Sequence, residues 1–82
     1  MITSEQMRAA RALLKWSAQE LADRTGMNWR TIQRLESEKG FPASRTKNLL
    51  KIRRALEDAG VVFIDENGGG PGVLLKDRVS DQ

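Results

Sequence analysis

The stretch from residue 17 to residue 36, SAQELADRTGMNWRTIQRLE, constrains the fold more than any other part of the chain. Ser17 and Glu20 have the spacing of a capping box, which begins a helix. Gly26 lacks a Cβ and therefore permits the positive φ of a turn that ends a helix. Asn28 is a favourable N-cap for a second helix, and apolar residues follow it at helical spacing. The stretch therefore predicts two short helices joined by a tight turn.

Helical patterns flank this stretch on both sides. Thr3 and Gln6 form another capping-box pair, which predicts a first helix over residues 4–15. Ser44 is a favourable cap for a last helix over residues 45–59, where Leu and Ile recur on one face. The pattern indicates a mostly α domain over residues 1–60 in which the two central helices form a helix-turn-helix.

The sequence changes character after the last predicted helix. Two β-prone runs, VVFID and GVLLK, flank the glycine-rich segment ENGGGPG, which is typical of a β-hairpin over residues 61–76. A hairpin of two strands is marginal alone, so its apolar residues Val61, Phe63, Val73 and Leu75 are expected to pack on the helices or to pair with another chain. Residues 77–82 are polar and are predicted to form a flexible tail.

Composition excludes several classes of function. The 82 residues include no Cys and no His, which removes disulfides, zinc fingers and an imidazole general base. We therefore expect a single small domain with no cofactor, no metal and no enzymatic activity. The N-terminus lacks the apolar core of a signal peptide, and the longest strongly apolar run is too short to span a bilayer. A cytoplasmic protein without membrane contact is expected.

Charge is distributed unevenly along the chain. Residues 8–54 hold twelve Lys/Arg against four Asp/Glu, whereas residues 55–82 hold two against six. This asymmetry favours a helical part that meets a polyanion and a tail that does not. The alternative is an ordinary solvated surface with no partner.

The pattern from residue 11 to residue 42 resembles the Cro/C1-type DNA-binding domains of bacterial and phage repressors, the XRE family. The residues that carry the resemblance are Arg11, Ser17, Glu20, Leu21, Ala22, Gly26, Ile32, Leu35, Glu36, Gly40 and Pro42, with Leu49, Ile52 and Leu56 beyond them. The resemblance implies a four-helix, lambda-repressor-like fold followed here by the hairpin. It also implies that Arg11 and Glu36 form a structural ion pair.

In the resembled class the second helix of the motif enters the major groove of DNA. The residues implied to contact bases are Trp29, Arg30, Gln33 and Arg34. The residues implied to contact the DNA backbone are Ser17, Ala18, Gln19, Asn28, Thr31, Ser37 and Lys39. Arginine pairs bidentately with guanine, and glutamine with adenine. Trp29 is unusual at its position, where contact with thymine methyls or sugars and packing on the protein surface remain alternatives.

Two functions from different classes follow. The first is a transcriptional regulator, acting as a repressor, that binds a double-stranded DNA operator as a homodimer. The dimer interface is predicted to be the apolar residues of the hairpin: Val61, Val62, Phe63, Ile64, Val73, Leu74 and Leu75. The second is a protein-interaction module, such as an antitoxin whose hairpin binds a partner protein; the two roles can coexist.

Overall fold

The computed structural model describes residues 2–37, 46–65 and 68–76. Within these ranges the chain is mostly helical and carries a small antiparallel hairpin at its C-terminal end, which confirms the prediction of a mostly α chain with a C-terminal hairpin. The elements are α1 Ser4–Leu14, α2 Ala18–Thr25, α3 Trp29–Ser37, α4 Thr46–Asp58, β1 Val61–Ile64 and β2 Gly72–Leu75. No helix in the described ranges is both long and apolar enough to cross a membrane.

The first two helices begin at the predicted caps, but only one cap is a complete box. At α1 the Thr3 hydroxyl accepts from the Gln6 N–H at 3.0 Å, and the Gln6 Oε1 accepts from the Thr3 N–H at 2.9 Å. At α2 the Ser17 hydroxyl accepts from the Glu20 N–H at 3.1 Å. The Glu20 carboxylate instead accepts from Arg24 Nε at 2.6 Å, because an arginine one turn further along the helix is a stronger, charged donor.

The turn between α2 and α3 is built as the sequence predicts. Gly26 has φ 71° and ψ 17°, a left-handed conformation that a Cβ would disfavour, and its N–H donates to the Ala22 carbonyl. Asn28 then caps α3, since its Oδ1 accepts from the Arg30 N–H at 2.8 Å. The two helices are thus separated by only three residues.

The outer helices are slightly shorter than predicted. α1 ends at Leu14 because Lys15 adopts a left-handed conformation, φ 60°, and its N–H bonds back to carbonyls of the last turn. α4 is described over Thr46–Asp58 and ends one residue earlier than the predicted range 45–59, whose first residue lies outside the described part of the chain. The predicted cap, Ser44, lies outside the described residues.

The core is assembled from one face of every helix and from the first strand. Its buried members are Ile2, Met7, Ala10, Leu21, Ala22, Ile32, Leu35, Leu49, Ile52, Leu56, Val61 and Phe63. The helical members recur three or four residues apart, which is the spacing of an amphipathic helix. Because β1 contributes Val61 and Phe63, the hairpin shares its core with the helices.

The hairpin docks on α1 through one of its two faces. Val61 pairs with Leu75 and Phe63 with Val73, so these four side chains lie on the face that packs against the core. At the far end of the ladder Gln6 Nε2 donates to the carbonyls of Ile64 at 3.1 Å and Gly72 at 3.0 Å. These two carbonyls belong to paired residues, and a single side chain therefore holds both strands.

Because the hairpin docks in this way, the predicted dimer interface includes residues that the chain's own helices bury. The face that carries Val61 and Phe63 is covered by the chain's own helices, so it offers nothing to a second molecule while the hairpin is docked. The alternate face remains available, with Val62 and Ile64 half-buried and Leu74 45 % exposed. The predicted flexible segment, residues 77–82, lies outside the described residues.

Substituting Gln6→Glu should loosen the hairpin without removing the α1 cap. A Glu side chain still accepts from the Thr3 N–H, but it loses the Nε2 donor and turns carboxylate oxygens toward two carbonyls. We expect a loss of about 1–3 kcal/mol in the free energy of unfolding, measured by urea titration, and faster amide hydrogen exchange in β2. The matched control, Gln33→Glu at an exposed position, should change stability by less than about 0.5 kcal/mol. Equal losses in the two variants would contradict the docking role of Gln6.

Candidate nucleic-acid interface

α3 separates a buried face from a basic, exposed face. Ile32 and Leu35 are buried in the core, and Glu36 beside them is also buried. Arg30, Gln33 and Arg34 point to solvent from the other side. Arg30 and Arg34 are four residues apart, so their side chains lie on the same side of the helix, one turn from each other.

An open groove of about 580 Å³ runs along this exposed face; we call it the α3 groove. Three helices contribute to it, namely α1, the N-terminal turn of α2 and the length of α3. The lining residues are Arg8, Arg11, Ala18, Arg30, Gln33, Arg34, Glu36 and Ser37. Arginines from α1 and α3 therefore converge on one surface although they belong to helices that are far apart in sequence.

The charge of the α3 groove is strongly positive. Among the described residues its lining has four arginines against one carboxylate, that of Glu36, and this carboxylate is already bonded to Arg11. Within the described part of the chain, Arg30 and Arg34 form no salt bridge. Their guanidinium groups are therefore free to donate to an anionic ligand.

Arg11 and Glu36 form the ion pair that the resemblance implied. Arg11 Nε and Nη2 donate to the two Glu36 carboxylate oxygens, each at 2.8 Å, and Nη1 donates to the Trp16 carbonyl at 2.9 Å. The hydrogen bond to Glu36 raises the pKa of Arg11, while partial burial opposes that change. Since every nitrogen of this guanidinium donates within the chain, Arg11 braces α1 against α3 and is not a free ligand.

Two further contacts tie α1 to the end of α3. The Ser4 hydroxyl donates to the Leu35 carbonyl at 2.5 Å, and Arg8 Nη1 donates to the Glu36 carbonyl. Both acceptors belong to the last turn of α3, whose carbonyls have no partner within the helix. Neither contact is predictable from local sequence patterns, because each joins residues about thirty positions apart.

The residues predicted to contact the DNA backbone are spread over the rim of this surface. Ala18 lines the groove, and Ser17 precedes it as the exposed cap of α2. Gln19 is exposed and donates to Asp23 at 2.8 Å. Ser37 closes α3 and lines the groove, where its hydroxyl donates to the Arg34 carbonyl.

The remaining predicted positions lie at the start of α3 or beyond its end. Asn28 is exposed but its Oδ1 is used as the helix cap, and Thr31 is half-buried. Trp29 is 41 % exposed in the first turn of α3 and is not among the described residues that line the groove. Lys39 lies outside the described residues.

The described residues contain no cluster of three or more His, Cys, Asp or Glu side chains placed to hold a metal ion. Comparison of the sequence with models of known families finds no match, and comparison with curated proteins finds none either. The geometry of the α3 groove is therefore the basis for assigning a function.

Glu36→Gln should destabilise the fold through the brace to Arg11. The amide retains the shape of the side chain but loses the charge that the partly buried guanidinium requires, so we expect a loss of about 2–3 kcal/mol in the free energy of unfolding. The matched control is Glu20→Gln, which removes the exposed pair with Arg24 and should cost less than about 1 kcal/mol. Chemical denaturation of both variants measures the difference, and similar costs would show that the brace is unimportant.

Proposed function

We propose that this protein is a small DNA-binding transcriptional regulator of the Cro/C1 type, acting as a repressor. In this proposal α2 and α3 form a helix-turn-helix, and α3 enters the major groove of the operator. One observation carries it: Arg30, Gln33 and Arg34 share the exposed face of a helix whose opposite face is locked in the core. A rigid helix that presents unpaired arginines suits the recognition of base edges.

Each of these side chains has a defined role in the proposal. Arg30 and Arg34 donate bidentately to guanine O6 and N7, and Gln33 pairs with adenine. Trp29, in the first turn, contacts a thymine methyl or a sugar. Each good base contact of this kind is worth about 1–3 kcal/mol of discrimination.

The rim of the α3 groove would position the DNA backbone. The first turn of α2 has N–H groups without intrahelical acceptors, and Ala18 borders the groove with only a methyl side chain, which leaves room for a phosphate. The other proposed phosphate contacts are made by Ser17, Gln19, Asn28, Thr31 and Ser37. Lys39, which lies outside the described residues, completes the set. Arg8 adds positive charge from α1.

A homodimer completes the proposal. A single α3 spans only a few base pairs, and two copies on half-sites about 34 Å apart are the usual way to gain specificity. The outer face of the hairpin, with Val62, Ile64 and Leu74, is the apolar surface proposed to join the copies. The same exposed face favours the second candidate function, an antitoxin-like module whose hairpin binds a partner protein.

Selection of bound sequences from random DNA duplexes tests the nucleic-acid proposal. We expect a symmetric operator, and Arg30→Ala or Arg34→Ala should weaken its binding by about 1–3 kcal/mol, roughly 5- to 150-fold, in a fluorescence anisotropy titration. Affinity should also fall steeply with salt. Lys76→Ala, which removes an exposed charge far from α3 in sequence, is the control and should bind as the wild type does. Equal binding by all variants, or no selected sequence, would refute the proposed interface.

Leu74→Lys tests the dimer. Placing a charge on the outer face of the hairpin should shift the protein to monomer in sedimentation equilibrium at concentrations where the wild type is dimeric. Leu13→Lys, at a leucine of similar exposure on α1, should leave the dimer intact. A monomeric wild type would exclude the homodimer, and a co-purifying protein released by Leu74→Lys would favour the antitoxin-like function.

A further inference from the structure

A second groove lies between the C-terminal end of α2 and the outer face of α4; we call it the α2–α4 groove. Its volume is about 490 Å³, and it shares no lining residue with the α3 groove. The lining residues are Arg24, Thr25, Lys47, Leu50, Lys51, Arg54, Ala55 and Asp58. Ala18 lines the α3 groove and Arg24 lines the α2–α4 groove. The two residues lie near opposite ends of α2, about 9 Å apart along the helix axis.

The α4 side of this groove is a continuous stripe. Lys47, Lys51 and Arg54 follow each other at intervals of four and three residues, so they lie on one side of the helix. Leu50 lies within this stripe and is 53 % exposed. An isolated exposed leucine is ordinary, but here it forms an apolar centre inside a ring of cations.

The cations of the stripe have no counterions among the described residues. Lys47, Lys51 and Arg54 take part in no salt bridge there, whereas their neighbour Arg53 pairs with Glu57 at 3.0 Å and lies over the Phe63 ring. Arg24, on the α2 side, is bonded to Glu20 and stacked on Trp16, 4.2 Å from its ring centre. The described part of the lining contains a single carboxylate, that of Asp58, near the end of α4.

Helix stability does not explain this arrangement. Lys47 lies in the first turn of α4, where the helix dipole disfavours a positive charge, and that turn contains no acidic residue. Lys47 and Lys51 are like charges one turn apart, which also destabilises a helix. A sequence selected only for folding would place acidic residues in this turn, so the stripe points to an external anionic partner.

We propose that the α2–α4 groove is a docking site for an acidic amphipathic segment of another protein. The partner's large apolar side chain would cover Leu50 and Ala55, and its Asp or Glu residues would meet Lys47, Lys51 and Arg54. An amphipathic helix with apolar anchors one turn apart suits such a groove. Bare phosphates would need the cations but not the apolar centre, and for this reason a protein segment fits better than nucleic acid. The proposal does not depend on the DNA-binding function.

A random peptide library displayed on phage, selected against the immobilised full chain, tests this proposal. We expect enriched peptides in which Asp or Glu flank a large apolar residue. A labelled enriched peptide should bind Leu50→Glu and Lys51→Glu about tenfold more weakly, or worse, than the wild type. Both positions are exposed, so the fold should be retained, which circular dichroism checks. The matched controls, Leu13→Glu and Lys76→Glu, should bind the peptide as the wild type does.

Three results would overturn the proposal. The first is a set of enriched peptides without the acidic and apolar pattern. The second is peptide binding that is insensitive to Leu50→Glu and Lys51→Glu. The third is a result of lysine acetylation measured by mass spectrometry. If a random-sequence DNA duplex protects Lys47 and Lys51 from acetylation but leaves Lys76 unprotected, this face binds nucleic acid.

Discussion

The bidentate pair between Arg11 and Glu36 is the contact on which the described surface depends. Glu36 lies on the buried side of α3, and a carboxylate there requires a compensating charge. Arg11 supplies it from α1, and its third guanidinium nitrogen, Nη1, donates to the Trp16 carbonyl just before α2. One side chain thereby fixes the relative positions of the three helices that line the α3 groove. The exposed face of α3 is directed outward because its inner face is held in this way.

The two grooves use charge in different ways. In the α3 groove the one carboxylate of the described lining is neutralised within the fold, and polar Gln33 shares the lining with Arg30 and Arg34. In the α2–α4 groove the cations surround an apolar centre. The first arrangement suits a ligand with a regular, polar edge, whereas the second suits a ligand that is both acidic and apolar. A protein this small can therefore offer separate surfaces to two kinds of partner, with α2 connecting them.

Local signals in the sequence predicted most of the fold. The predicted caps are Thr3, Ser17 and Asn28, the left-handed turn is at Gly26, and the two β-prone runs form the hairpin. Each of these features depends on residues only a few positions apart. The reciprocal bond at Glu20 was not predicted correctly, since the choice between a backbone N–H and Arg24 depends on side-chain geometry. For Val61, Phe63, Val73 and Leu75 the sequence left two partners open, the helices or another chain, and the structure places them against the chain's own core.

The candidate site was predictable only in part, for a related reason. Helical spacing placed Arg30, Gln33 and Arg34 on one face, while the Arg11–Glu36 pair was implied by a family pattern and not by spacing. The contact of Arg8 with the last turn of α3 had no signal in the sequence. Nor had the α2–α4 groove around Leu50, because both features arise only when distant helices meet. Contacts across about thirty residues are set by tertiary packing, which local patterns do not encode.

Gln6 links the beginning of the described chain to its end. Its amide caps α1 within three residues, yet the carbonyls that it holds in the hairpin are 58 and 66 positions further along. During synthesis α1 can form early, but it cannot dock on the hairpin until residue 72 has left the ribosome. Such non-local closure raises the contact order of an otherwise helical protein and couples its two ends in one cooperative folding event. Any break between them would leave α1 capped and braced to α3 but released from the hairpin.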